Sequence, residues 1–90
     1  MFISQLVCTE CSCLQEFEGT TLDGLDIYIY HRSGVLRVYL NKIVIFEEIF
    51  MSYRNENFFA SLDEIQGRLV SEGIIFPEGC SLYNLSCTEN

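Results

Sequence analysis

The chain has 90 residues, 49% of them hydrophobic, and carries 13 acidic against five basic side chains for a net charge of −8. This length suffices for one domain with one core, but not for a core together with a deep enzyme cleft. The charge disfavours direct binding to nucleic acid or to an anionic membrane and favours a basic surface on another protein as the partner.

The first segment has the apolar spacing of a helix. Gly19 stands where such a helix would end, although the cysteine-rich stretch at 8–13 contains weak helix formers. We therefore predict a helix over 2–17, with an earlier helix end followed by a strand at 12–18 as the alternative. The residues that recur at helical spacing are Ile3, Val7, Cys11 and Leu14.

The middle of the chain alternates apolar and polar residues, as half-buried strands do. This alternation predicts strands over 25–31, 35–40 and 43–50, joined as an antiparallel meander. A short hairpin connection at 32–34 joins the first two strands. Asn41-Lys42 closes a two-residue turn, because asparagine accepts a positive φ.

A second helix is predicted over 62–72. Ser61 can cap its start, and Glu64 lies three residues further on, which is the capping-box arrangement. Gly73 can adopt the left-handed conformation that ends a helix, and Pro77 prevents the helix from resuming. Together these elements predict an α+β fold: a small two-layer domain with an N-terminal helix, a three-stranded antiparallel meander and a C-terminal helix. The apolar stripe of the second helix is Leu62, Ile65 and Leu69.

The cysteines are the candidate metal ligands. Cys8-x2-Cys11 has the spacing of a zinc half-site, which a further cysteine or His31 would complete. The alternative is that these cysteines are small buried hydrophobic residues, and no cofactor is expected. An odd number of cysteines, without a basic and apolar signal peptide or a membrane-length apolar run, predicts free thiols in the cytoplasm. The five are Cys8, Cys11, Cys13, Cys80 and Cys87.

Side chains suited to catalysis are scarce. His31 is the only histidine and stands at a predicted strand end. Glu47 and Glu48 are neighbours on a predicted strand, so they point to opposite faces and cannot act as a carboxylate pair. The chain has neither a glycine-rich phosphate-binding motif nor a nucleophile elbow. We therefore expect a protein that is not an enzyme.

One face of the predicted sheet is rich in the residue types of binding hot spots. Tyrosine and arginine combine large apolar area with directional hydrogen bonds. Such a face is exposed for a partner, buried in a homodimer or covered as part of the core, and the sequence leaves these three alternatives open. The residues that share this face are Tyr28, Tyr30, Arg37 and Tyr39.

Charge is distributed unevenly along the chain. Residues 1–31 carry five acidic and no basic side chains, residues 32–54 four basic and two acidic, and residues 55–90 six acidic and one basic. If the two predicted helices lie side by side, their outer faces form one anionic surface, which either binds a basic partner or only keeps the protein in solution. The acidic candidates for partner contacts are Glu10, Glu16, Glu18, Asp63, Glu64 and Glu72.

Size and charge together favour a non-enzymatic protein that inhibits or regulates a larger, nucleic-acid-binding protein. Compact acidic domains of this size are typical of phage anti-restriction and anti-CRISPR proteins and of toxin-immunity proteins, an analogy of size and charge alone. The carboxylates would occupy the positions where phosphates normally bind, and the tyrosine face would anchor the contact. The alternatives are a zinc- or thiol-dependent module and a structural homodimer subunit.

Overall fold

A computed structural model of the chain describes residues 1–11, 15–50 and 62–87. Five strands form one antiparallel sheet, in which each strand pairs with the next along the chain. Two helices follow the sheet, α1 (Leu62–Ser71) and α2 (Leu82–Cys87). The strands are β1 (Ile3–Cys11), β2 (Gln15–Thr21), β3 (Asp26–Arg32), β4 (Val35–Leu40) and β5 (Ile43–Ile49).

The predicted N-terminal helix is wrong, because β1 and the start of β2 occupy that segment. The pairing of β1 with β2 shifts register between Ile3 and Gln5 and again between Cys8 and Glu10. The first irregularity lets Ile3 and Leu6 both face the core although they are three residues apart. An interrupted strand therefore produced the apolar spacing that resembles a helix.

The α+β architecture of one helix, a three-stranded meander and a second helix is wrong as well. The sheet has five strands, both helices lie C-terminal to it, and the described chain is mostly sheet. The segments predicted as three strands lie in β3, β4 and β5, where they form part of a larger sheet. The Ser61 cap of α1 lies outside the described residues.

The helices cover one face of the sheet, which we call the core face. Ile65 and Leu69 of α1 and Leu82 of α2 are fully buried there. No helix in the described ranges is long and apolar enough to cross a membrane. The buried apolar residues that the sheet contributes are Ile3, Leu6, Phe17, Ile27, Ile29, Leu36 and Val38.

The end of α1 is fixed by Gly73, as its sequence predicts. Gly73 has a φ of 89°, and its N–H donates to the carbonyl of Val70 at 3.0 Å. The next N–H, that of Ile74, donates to the carbonyl of Leu69 at 3.1 Å. These two bonds form a Schellman motif, which satisfies the last helical carbonyls and turns the chain back toward the core.

The turn between β4 and β5 contains a residue in an unfavourable conformation. Asn41 and Lys42 have φ values of 49° and 68°, as expected for a two-residue hairpin turn. Asn41 tolerates this conformation, and its Oδ1 accepts a hydrogen bond from the Asp26 N–H at 2.9 Å. Lys42 has a Cβ that disfavours the left-handed region.

We therefore expect Lys42→Gly to raise the free energy of unfolding, because glycine removes this strain. The gain is about 0.5–1 kcal/mol after allowing for the greater freedom of glycine in the unfolded chain. Asn41→Gly is the matched control, and it should lower stability because it deletes the hydrogen bond to Asp26. Urea unfolding of the three proteins measures both changes. If Lys42→Gly and Asn41→Gly lowered the free energy of unfolding by the same amount, the expected strain at Lys42 would be contradicted.

Candidate functional site

The face of the sheet opposite the helices, which we call the open face, holds the candidate site. Alternate side chains of a strand point to opposite faces, so each strand contributes residues to both. The buried residues of α1 and α2 belong to the core face. Within the ranges that the structure describes, no helix or further strand covers the open face.

Cross-strand pairing arranges the open face in two rows that run across all five strands. Three of the carboxylates lie at the β1–β2 end, one lies on β5 at the other end, and the tyrosines lie in the middle. The Tyr28 row consists of Val7, Glu18, Tyr28, Tyr39 and Val44. The Tyr30 row consists of Glu10, Glu16, Tyr30, Arg37 and Glu47.

The structure brings together the four residues predicted to share a face. The ring centroid of Tyr28 lies 5.6 Å from that of Tyr39 and 6.4 Å from that of Tyr30. The ring planes are tilted by 47° and 44°, which suits aromatic pairs. The guanidinium of Arg37 lies 5.7 Å from the Tyr30 ring centroid. This tyrosine cluster is the apolar centre of the open face.

The positive charge of Arg37 is neutralised within the chain. Its Nε donates to Oε2 of Glu47, its neighbour across the strands. This hydrogen bond, with the charge of Glu47 next, raises the pKa of the guanidinium above its ordinary value. Arg37 and Glu47 therefore add little net charge to the surface.

The phenol of Tyr28 is held protonated at the acidic side of the cluster. Burial is the largest cause that raises its pKa, followed by its hydrogen bond to Glu16. The charges of Glu16 and Glu18 raise the pKa further. Tyr28 therefore donates its O–H to the carboxylate of Glu16 and fixes that side chain beside the rings.

Glu16 and Glu18 have no basic partner among the described side chains. By contrast, Glu47 pairs with Arg37, and both Glu48 and Glu72 pair with Arg68. A shallow depression of about 640 Å³ lies beside the two unpaired carboxylates. Its lining includes Glu16, Glu18, Asp26, Tyr28, Tyr39 and Lys42. The uncompensated negative charge of the open face is thus concentrated at the rim of the tyrosine cluster.

The predicted anionic surface of two adjacent helices does not form, because the first helix is replaced by strands. Asp63 and Glu64 are exposed in the first turn of α1, on the other side of the sheet. Glu72, just beyond α1, accepts a hydrogen bond from Nη1 of Arg68 at 2.7 Å. The acidic candidates therefore divide into a sheet group at Glu10, Glu16 and Glu18 and a helix group at Asp63, Glu64 and Glu72.

The cysteines that the structure describes do not converge. Cys8 donates its thiol to the carbonyl of Glu10 at 3.3 Å, and burial raises the pKa of the Cys80 thiol. Cys8 and Cys11 lie on one strand, β1, and not on the predicted helix. No group of three or more potential ligands gathers among the described side chains. Cys13 and the side chains of Cys11 and Cys87 lie outside them.

His31 serves a structural role, and so do Glu47 and Glu48, which are adjacent to each other in the sequence. His31 is buried, and its Nε2 lies 2.9 Å from the carbonyl oxygen of Phe50. Glu47 lies on the open face with Arg37, while Glu48 contacts Arg68 of α1. This confirms that Glu47 and Glu48 point to opposite faces.

Sequence reasoning missed that Glu16 and Glu18 share a face with the tyrosines. The signal was present, because Glu16 and Glu18 flank Phe17 in the polar–apolar–polar order of a half-buried strand. No protein-family model matches this chain, and neither a curated protein nor a solved structure matches it. The open face is therefore interpreted from its own geometry.

Proposed function

We propose that this protein is a non-enzymatic, cytoplasmic binding module that inhibits or regulates a larger protein by covering a basic surface with its open face. One observation carries the proposal. The tyrosine cluster adjoins Glu16 and Glu18, two carboxylates without a basic partner in the described chain. Such a combination favours a positively charged protein surface over nucleic acid or an anionic membrane.

The two parts of the open face have different tasks in this proposal. Tyr28, Tyr30 and Tyr39 offer rigid apolar area with few rotatable bonds, which is typical of residues that dominate interface energies. Glu16 and Glu18 attract a basic surface and occupy the positions that phosphate groups would take on it. A partner that binds nucleic acid is thereby blocked by competition, the mode of action suggested by the small size and the net charge of −8.

This mode of action is that of phage anti-restriction or anti-CRISPR proteins and of toxin-immunity proteins. The support for that class is size and charge. In a viral setting the cytoplasm is that of the host cell.

A structural homodimer is the second candidate, favoured by the edge strand β5. Four of its aliphatic side chains are between 45% and 73% exposed, which is unusual for a surface strand. Sedimentation equilibrium distinguishes the candidates, since a stable dimer has twice the monomer mass in the absence of any other protein. The four residues are Ile43, Val44, Ile45 and Ile49.

The proposed function is tested by capture from nuclease-treated host lysate with wild-type protein and open-face variants, analysed by mass spectrometry. We expect one stoichiometric partner, whose affinity falls tenfold or more, about 1.4 kcal/mol, in Tyr39→Ala. Raising the salt concentration should release it, because exposed charges are screened.

The matched control for loss of a charge on the open face is Glu78→Gln. Glu78 is an exposed glutamate in the connection between α1 and α2. Ile74 and Leu82, which lie on either side of it in the sequence, are buried in the core. Glu18→Gln should weaken capture, whereas Glu78→Gln should not. Equal capture by wild type, Tyr39→Ala and Glu18→Gln would exclude the open face as the binding surface.

A further inference from the structure

Two arginine side chains, Arg37 and Arg68, lie in the same kind of site within this protein. Each is held between an aromatic ring and a carboxylate. Arg37 lies 5.7 Å from the ring centroid of Tyr30 and donates to Glu47. Arg68 lies 5.1 Å from the ring centroid of Phe46 and donates to both oxygens of Glu48, at 2.7 and 2.8 Å. A guanidinium suits such a site because its flat face stacks on the ring while its edge bonds to the carboxylate.

In a third combination of rings and carboxylates, the carboxylates have no ion-paired cation among the described side chains, although the Tyr39 side chain also hydrogen-bonds Arg37. Tyr28 and Tyr39 present tilted rings 5.6 Å apart, and the carboxylates of Glu16 and Glu18 adjoin Tyr28. The described basic side chains make no ion pair with either glutamate, and this includes Lys42, which lines the depression. The site therefore has the same components as the two occupied ones, with an open depression in place of the guanidinium.

We propose that this third site, formed by Glu16, Glu18, Tyr28 and Tyr39, receives an arginine side chain from the partner protein. We call it the arginine site. The inference rests on the proposed function, since the arginine belongs to the partner that the open face covers. It deepens that function by naming the partner group that the face recognises.

The geometry favours such an occupant for an electrostatic reason. Glu16 and Glu18 lie two residues apart on one strand and face, so their carboxylates repel each other until a cation lies between them. Tyr28 already binds Glu16 through its O–H, which leaves Glu18 as the freer acceptor. A cation placed against Glu18 also lies over the neighbouring rings, where the negative ring faces attract it.

Arginine is favoured over lysine at this site. An ammonium group is compact and strongly hydrated, whereas a guanidinium stacks on tyrosine and donates two parallel hydrogen bonds to a carboxylate. Of the two internal examples, Arg68 shows both features with Phe46 and Glu48, whereas Arg37 lies over Tyr30 and makes one hydrogen bond to Glu47.

The test is a titration of the 90-residue protein with three capped tripeptides, followed by amide NMR shifts. The central residue is arginine, lysine or citrulline, which has nearly the shape of arginine but no charge. We expect the arginine peptide to shift amides around the site in β2, β3 and β4. Its affinity should exceed that of the citrulline peptide about three- to fivefold.

Variants locate the binding. Glu18→Gln and the control Glu78→Gln are the informative pair, because each removes one negative charge and only the first removes it from the site. Glu18→Gln should weaken the arginine peptide about threefold or more, while the control Glu78→Gln should leave its affinity nearly unchanged. Tyr39→Ala removes a ring and should weaken binding by a similar factor to Glu18→Gln.

Several results would overturn the arginine site. These are no shifts with the arginine peptide, shifts confined to other surfaces, equal binding of citrulline, or equal or tighter binding of lysine. Failure of the proposed function is distinguishable from failure of the arginine site. If Tyr39→Ala loses the captured protein but Glu18→Gln keeps both that protein and the arginine peptide, the open face binds a partner and the arginine site is wrong. If the arginine peptide binds at the site but no partner is captured, only the proposed function fails.

Discussion

Replacing Gly19 by alanine is expected to lower the free energy of unfolding by about 3 kcal/mol or more. A Cβ on Gly19 would lie 1.9 Å from the carbonyl oxygen of Gln5 and 2.9 Å from the Cα of Leu6. Both are main-chain atoms of β1, so no side-chain rotation relieves the overlap. A domain of this size has a total stability of roughly 5–15 kcal/mol, so the variant is expected to be severely destabilised or unfolded.

Gly67→Ala is the matched control for this prediction. Gly67 lies within α1, is exposed, and has no atom within 4 Å of the position of an added Cβ. Alanine there should raise stability by about 1 kcal/mol, because glycine is the poorer helix former. Urea unfolding of the two variants against wild type measures both changes. A Gly19→Ala variant as stable as wild type would show that β1 does not approach β2 this closely.

The close approach at Gly19 also supports the open face. Gly19 pairs with Leu6, and the next residue back along β2, Glu18, pairs with Val7 in the Tyr28 row. A forced separation of β1 and β2 would move Glu18 relative to Tyr28. Amide shifts of Tyr28 in a partly folded Gly19→Ala sample would report this movement before global unfolding.

The middle and the end of the fold follow from local signals in the sequence. Strands β3, β4 and β5 lie where alternating apolar residues and a positive-φ turn at Asn41-Lys42 place them. Helix α1 ends at Ser71, and the left-handed Gly73 follows as the stop signal indicates. Short-range signals suffice for β3 and β4 because their pairing has no register shift that would interrupt the alternation.

The first strands were not predictable from the same rules. The two register shifts between β1 and β2 interrupt the alternation on which recognition of a strand depends. The residue that makes the pairing possible is Gly19, whose lack of a Cβ admits the β1 backbone. Such a contact between strands is invisible in a single-sequence pattern, in which Gly19 resembles a helix stop.

The candidate site was predictable in part. Alternation alone groups Tyr28, Tyr30, Arg37 and Tyr39, because strand parity decides their face. The partners of the acidic residues depend on which strands are adjacent. Only the pairing of β2 with β3 brings Glu16 and Glu18 beside the tyrosines, and only the placement of α1 brings Arg68 to Glu48, whereas the pair of Arg68 with Glu72 is local to the end of α1.

The sheet thus separates two tasks by face. The core face holds the helices and carries the stability of the fold, while the open face carries the charge and the aromatic rings proposed for binding. A substitution on one face should therefore change one property and leave the other nearly unaltered. This separation can be tested with one buried helix residue and one tyrosine.

Leu69→Ala is expected to lower the free energy of unfolding by about 2–5 kcal/mol, because it leaves a cavity in the core face. Leu69 is fully buried, whereas its neighbour Val70 is 46% exposed and provides the control. Val70→Ala should change stability by no more than about 0.5 kcal/mol. Thermal and urea unfolding, followed by circular dichroism, measure both.

Arginine-peptide binding by the same variants completes the test. At a temperature where Leu69→Ala remains folded, its affinity for the peptide should equal that of wild type, since Leu69 lies across the sheet from Tyr28. Tyr39→Ala should weaken binding while lowering the free energy of unfolding by only about 1 kcal/mol, from its cross-strand contacts, which is less than the loss expected for Leu69→Ala. If Leu69→Ala weakened binding as much as Tyr39→Ala while folded, the two faces would be coupled, and the open face would need the packing of α1 to hold its rings and carboxylates in place.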